Sequence, residues 1–223
     1  MKFSAVKVAF LLIFLSCCLV FKPLQAQQFS QWEKEIAAFE LADRAHQAPA
    51  QSIVFTGSSS IRLWEGLNQD FPDKKILNRG FGGSQTDAVV FFANRIVVPY
   101  KPRQVVIYSG DNDLAAGKSP EKVLADFKDL FFRIRRQVPN ATITFISIKP
   151  SPSRKHILEK VRHTNTLVKG FLSSQQKTGY VDVFTPMLLA NGKPRPELFL
   201  ADSLHMTRAG YVIWAAALRP YLK

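Results

Sequence analysis

Five short runs rich in β-branched and aromatic residues alternate with longer stretches of helical periodicity, and this alternation constrains the 223-residue chain more than anything else in it. The runs are Ser52–Thr56, Ile76–Asn78, Gln104–Tyr108, Thr142–Ile148 and Tyr180–Val183. Most are too uniformly apolar to leave one face in water, as expected of strands covered on both sides. Helical spacing runs over Asp87–Ile96, Ser119–Gln137, His156–Gln176 and Thr207–Leu218. A further helix is expected over Gln28–Asp43, with Phe29, Trp32, Ile36 and Phe39 on its packed side. Ser119-Pro120-Glu121 makes a well-formed helix start: the hydroxyl caps, proline suits the first turn and the acid faces the dipole. Strands alternating with helices form parallel sheets with crossovers on both faces. The expectation is one α/β domain, a three-layer α/β/α sandwich around a five-stranded parallel sheet.

Residues 1–26 do not belong to that pattern. Lys2 and Lys7 precede the apolar run Val8–Phe21, which is followed by Lys22, Pro23 and Ala26. A basic start, an apolar middle and a small residue before the cut define a secretory signal peptide, with cleavage expected after Ala26 and the folded domain spanning 27–223. The run is shorter than the roughly 20 residues of a membrane span, so no stable membrane insertion is expected after cleavage. Export to the periplasm or the medium follows; Leu15-Ser16-Cys17-Cys18 is similar to a lipoprotein cleavage box, which makes lipid anchoring the alternative. Both cysteines fall inside the leader, so the mature chain would carry no disulfide, cysteine nucleophile or thiolate metal site. With 47% hydrophobic and 21% charged residues the remainder is neither disordered nor fibrous.

In open parallel sheets, functional groups gather beyond the carboxyl ends of the strands. There this sequence places Gly57-Ser58-Ser59-Ser60, then Gly80-Phe81-Gly82-Gly83-Ser84, then Ser109-Gly110-Asp111-Asn112-Asp113, and near its end Asp202-Ser203-Leu204-His205. Each has a plain structural explanation when taken alone. A serine in a Gly-Ser-rich turn is ordinarily a cap, as Ser58 and Ser60 are expected to be, and Asn112 and Asp113 suit a local Asx turn. Asp202 would favour the N-terminus of the last helix, and His46, His156 and His163 read as solvent-facing or satisfied histidines. Together the residues offer something else. A serine hydroxyl becomes a nucleophile when an imidazole takes its proton and a carboxylate orients that imidazole. Amide donors nearby then meet the negative charge that develops on an attacked ester oxygen.

The four segments, in this order, resemble the four blocks of the SGNH hydrolases, also called GDSL-like esterases and lipases, over Ile53 to Tyr211. The resemblance implies a flavodoxin-like SGNH hydrolase fold, Ser59 as nucleophile, Asp202 and His205 as the other triad members, and an oxyanion hole formed by Ser59, Gly83 and Asn112. The family usually carries Asp immediately before the nucleophile, where this chain has Ser58. It further implies a cofactor-free esterase or acylhydrolase acting on a small-molecule or glycan ester, with no metal.

Other motifs fail. Gly57-Ser58-Ser59-Ser60 is followed by Ile61, so the Gly-x-Ser-x-Gly elbow is absent, and Gln85 stands where a dinucleotide fingerprint needs its third glycine. Lys149, Trp64, Phe81, Phe199 and Met206 are candidate pocket residues by position, the aromatic three equally suited to the core. The formal charge of +13, falling by three to +10 without the leader lysines, keeps a second function class open. In that reading Lys128, Arg133, Arg135 and Arg136, with the loop from Lys149 to Lys155, form a non-catalytic module for an anionic polymer or surface. Nucleic acid is not an expected partner, because no aromatic stacking pair flanks these charges.

Overall fold

The computed structural model describes residues 27–223. The leader over residues 1–26, with both cysteines, lies outside the described residues. Strands β1 (Ile53–Gly57), β2 (Ile76–Gly80), β3 (Gln104–Tyr108), β4 (Thr142–Ile146) and β5 (Thr178–Val181) are all parallel and lie in the order β2-β1-β3-β4-β5. The chain therefore steps outward from β1 to β2 and then crosses back to β3 on the other side. In open parallel sheets, ligands bind at such a reversal, which here lies beyond the carboxyl ends of β1 and β3.

The side-chain alternation of the strands builds two cores. Val54, Val105, Ile107, Ile143 and Phe145 face the layer made by α4 (Thr86–Ile96), α6 (Pro120–Gln137) and α7 (Leu158–Ser173). Ile53, Phe55, Val106 and Tyr108 face the opposite layer, where Trp64 packs against Trp214 of α8 (Arg208–Leu218). An N-terminal helix α1 (Glu33–Ala45), preceded by a 3₁₀ turn over Ser30–Trp32, lies against α4 through buried Ile36. At the start of α6, Ser119 Oγ accepts the Lys122 N–H at 3.2 Å, as the sequence predicts.

The strand ends move for reasons that lie in tertiary contacts. Thr142–Ile148 is cut to Ile146 because the Asn165 carboxamide takes both the N–H and the C=O of Ile148. The last strand begins at Thr178 and stops at Val181, since Ser147 Oγ accepts the N–H groups of Val183 and Phe184. Pro152 opens a 3₁₀ segment to Ile157, so α7 begins at Leu158 rather than His156. Three short helices, α2 (Ser59–Arg62), α3 (Leu67–Asp70) and α5 (Asp111–Ala115), carry no periodicity that sequence inspection detects. Two of them start on the strand ends that matter most.

Candidate active site

β1 ends in Gly57 with φ +126°, beside β3, and a Cβ there would lie 1.8 Å from the Tyr108 carbonyl oxygen. Only glycine lets the chain turn this close to β3 and start a helix at the next residues. Ser58 follows with extended backbone, its N–H donating to that same carbonyl at 3.2 Å. Ser59 is then the first residue of α2, and its N–H belongs to the helical first turn, which has no intrahelical acceptor. Ser58 occupies the N-cap position without a side-chain capping bond, contrary to the expectation from sequence. Its carbonyl instead receives the Ile61 and Arg62 N–H groups, which is enough to close a helix of one turn.

The Asp202–His205 loop leans over Ser59. His205 Nε2 stands 3.0 Å from Ser59 Oγ, and His205 Nδ1 stands 2.5 Å from Asp202 Oδ2. Asp202 divides its work: Oδ1 accepts the backbone N–H groups of Leu204 and His205, each at 2.9 Å, while Oδ2 meets the imidazole. Backbone donors at Leu204 and His205, with the imidazole itself, hold the Asp202 carboxyl down at about 2. Ser203 adopts φ +56° between them, and its carbonyl takes the Ser153 N–H at 3.0 Å, tying this loop to the one after β4.

The loops after β2 and β3 are pinned to each other. Asn112 Nδ2 donates to the Ser84 carbonyl at 3.0 Å, while its Oδ1 accepts from Arg154 at 2.8 Å, which leaves one amide hydrogen of Nδ2 unassigned. Asp113 makes no local Asx turn. It is fully buried, accepting the Thr86 N–H with both oxygens at 3.0 Å and pairing with Lys118 at 2.9 Å. Tertiary contact overrides the turn propensity because a buried carboxylate requires donors and a counter-ion. Burial pushes its pKa up against the pull of Lys118. Gly83 is exposed at φ +68°, with nothing within 4 Å of where a Cβ would point.

Beneath Asn112 lies a buried ionic cluster. Lys149 is 1% exposed and donates to Asp111 Oδ2 at 2.7 Å and to the Tyr108 hydroxyl at 3.2 Å, while Arg154 pairs with the other Asp111 oxygen. Burial alone would raise the Asp111 pKa, but the two cations beside it prevail and lower it to about 2. Burial lowers the Lys149 pKa, opposed by Asp111. Lys149 is thus a structural counter-ion and not a pocket residue. The sequence marks it as a basic loop residue and a pocket candidate, and carries no sign of its burial.

Comparison with known proteins follows the geometry. Residues 50–213 match the model of the GDSL-like Lipase/Acylhydrolase family. This chain belongs to that family. It is a hydrolase acting on esters. Solved structures share the fold: a candidate platelet activating factor from Streptococcus pneumonia is 20% identical with TM-score 0.77, covering 92% of this chain and 99% of that one. A GDSL-like lipase from Bacteroides thetaiotaomicron is 20% identical with TM-score 0.71, covering 86% and 96%. An acetylxylan esterase from Geobacillus stearothermophilus is 16% identical with TM-score 0.64, covering 78% and 95%. No curated protein matches this chain in sequence.

Beside His205 the GDSL-like fold encloses a cavity of about 320 Å³, lined by Leu63, Trp64, Leu200, Met206 and Tyr211 among others. Trp64 and Met206 thus do face a pocket, whereas Phe81 and Phe199 are buried core residues. Trp64 and Tyr211 are buried and pack on each other at 5.1 Å, with Trp64 Nε1 donating to Asp70 and Tyr211 OH to the Ser60 carbonyl, so they back the cavity from the core. Of the basic residues that suggested a binding module, Arg135 donates to the carbonyls of Pro139, Ala141, Gln176 and Lys177, and Arg154 is held by Asn112 and Asp111. His46, His156 and His163 are exposed. Among the described residues no helix is long and apolar enough to cross a membrane, and no group of three His, Cys, Asp or Glu is placed to hold a metal ion.

Proposed function

We propose that this GDSL-like hydrolase is an exported serine esterase that works through an acyl-enzyme, and that its substrate is an acetyl ester of a carbohydrate. The observation that carries the mechanism is the unbroken series from Ser59 Oγ to His205 Nε2 and from His205 Nδ1 to Asp202, at 3.0 and 2.5 Å. In this reading Ser59 Oγ attacks the ester carbonyl carbon while its proton passes to His205 Nε2. Asp202 stabilises the imidazolium, and the Ser59 and Gly83 N–H groups with Asn112 Nδ2 hold the tetrahedral oxyanion. Collapse breaks the carbon–oxygen bond as the leaving alkoxide takes the proton from His205, and water repeats the sequence to free the acid and Ser59.

Support for the carbohydrate comes from the cavity beside His205. The alcohol must lie where the imidazole can protonate it, and the cavity there, with apolar Leu63 and Leu200 beside polar Glu65 and Arg208, suits a sugar ring and its hydroxyls. The fold shared with an acetylxylan esterase favours the same class. The leader pattern of residues 1–26 supports export, where acylated polysaccharides are met.

The test combines two measurements. A fluorophosphonate probe should label the native chain on a Ser59 peptide by mass spectrometry, and Ser59→Ala should neither be labelled nor release acetate from acetylated xylo-oligosaccharides. Labelling elsewhere, or full acetate release by Ser59→Ala, removes the mechanism. Hydrolysis of aryl acetates without release from any acetylated sugar removes only the substrate. The exported protein should begin near Gln27 on N-terminal sequencing.

A further inference from the structure

We infer that the N-terminal segment belongs to the catalytic apparatus: Trp32, assisted by Glu35, is a positioning residue that orients the peptide carrying the Gly83 oxyanion donor. The inference rests on the roles proposed above for Ser59, Gly83 and Asn112. Both residues precede the stretch from 50 to 213 that matches the family. From sequence, Trp32 is only one of four apolar residues on a packed helix face.

Its indole Nε1 donates to the Gly82 carbonyl at 2.7 Å, and the Gly82 N–H donates to Glu35 Oε2 at 3.1 Å. Both backbone polar groups of Gly82 are therefore held by one short segment. The consequence follows from peptide geometry. The carbonyl of Gly82 and the N–H of Gly83 are parts of one planar trans unit and point in opposite directions. Fixing the first toward Trp32 fixes the second away from it, and among the described residues the Gly83 N–H has no acceptor. A hydrogen bond accepted by the carbonyl also polarises the N–H of the same peptide, making it a better donor. Gly82-Gly83 has little preference of its own for any peptide orientation, so an external anchor is what preorganises it.

The anchor is itself well held. The Trp32 ring packs edge-on to Phe81 at 5.9 Å and lies 6.2 Å from Phe29, which in turn contacts Phe91 and Phe92 on α4. Glu35 also reaches Arg62 at 3.6 Å, on the helix that begins with Ser59. A Cβ on Gly82 would meet Arg62 Nε at 3.1 Å, so this loop is confined between α2 and the N-terminal segment.

The experiment uses the full mature chain and p-nitrophenyl acetate. Trp32→Phe keeps the aromatic packing and removes only the indole N–H. Its kcat should fall about tenfold with KM within about twofold, less than the roughly 10² to 10³ expected when an oxyanion donor is removed outright. Glu35→Gln keeps an acceptor and should stay near native, whereas Glu35→Ala should lower kcat. Ile36→Val, in the same helix as Glu35 and buried in the core without a hydrogen bond to Gly82, should lower thermal stability without lowering kcat. Unchanged kcat in Trp32→Phe overturns the inference, as does a change confined to KM or an equal kcat loss in Ile36→Val. The underlying reading fails separately: if Asn112→Ala retains native kcat, the oxyanion assignment is wrong. If Asn112→Ala is impaired and Trp32→Phe is not, only the role of Trp32 is wrong.

Discussion

Replacing Asp202 by Asn separates the two functions that one carboxylate performs. At Oδ1 an amide oxygen can still accept the Leu204 and His205 N–H groups, both at 2.9 Å, so the loop should persist. At Oδ2 the change is severe, because an NH₂ group now faces His205 Nδ1. The proton is driven to Nε2, the nitrogen 3.0 Å from Ser59 Oγ, where it blocks acceptance of the serine proton. Loss of a hydrogen bond to a charged partner costs about 1.5–3 kcal/mol, or roughly 10- to 150-fold in rate. The tautomer penalty takes the corresponding change in a serine protease, whose aspartate is buried, to about 10⁴. Here the Asp202 side chain is 46% exposed, so water can partly replace it, and kcat should fall about 10²- to 10³-fold with little change in KM. Asp202→Ala should be worse and also less stable, since it releases both backbone N–H groups beside Ser203 at φ +56°. Steady-state kinetics on a chromogenic acetate, with circular dichroism to verify folding, measures this. Turnover of Asp202→Asn within about twofold of native would refute the argument that this carboxylate sets the imidazole. The pH profile gives a second check. Because the folded carboxyl is lowered to about 2, its interaction is present above the ordinary carboxylate range and is lost only as pH falls through that value. Loss of activity at any pH well above that value therefore does not come from protonation of Asp202, and His205→Ala should abolish activity across the whole profile.

Asn112→Asp preserves an acceptor for Arg154 but loses the amide hydrogens, so kcat should fall about 10² to 10³ with KM little changed; an effect on KM alone would make Asn112 a ground-state binding residue. Gly83→Ala meets open space, so only its φ of +68° opposes the methyl group, at a cost of about 1–2 kcal/mol in thermal or denaturant unfolding. Asp111→Asn strips Lys149 of its buried counter-ion and should destabilise the fold by about 3–5 kcal/mol in urea titrations at neutral pH. In the native protein, Asp111 titrates at about 2 when folded, so its contribution is present above the ordinary carboxylate value and disappears as pH drops from about 4 toward 2. Acid unfolding that is identical in native and Asp111→Asn chains would show that this pair contributes nothing.

The periodicity of the chain suffices to define five parallel strands with helices on both faces, because burial on both sides and amphipathic spacing are local signals. The residues proposed to carry the chemistry are also legible, since Ser59, Asn112, Asp202 and His205 follow strand ends or precede the last helix, where loops collect function. Serine, imidazole and carboxylate are moreover a chemically distinctive combination. Their distances are not legible: Ser59 and His205 are 146 positions apart, and only the β2-β1-β3-β4-β5 order brings their loops together. Strand ends escape sequence inspection for the same reason, as Asn165 and Ser147 capture backbone groups from elsewhere in the fold. Asp113 reads as a turn residue and proves to be a buried ion-pair partner, and Lys149 reads as a loop cation and proves to be buried beneath Asn112. Trp32 shows the difference most plainly. Helical spacing explains its ring, but the partner of its N–H, the Gly82 carbonyl fifty positions away, is chosen by how the N-terminal segment lies against α4. Sequence determines which groups are available and which local structures they favour; tertiary packing decides which of them meet, because a hydrogen bond depends on distance and direction that no linear pattern encodes.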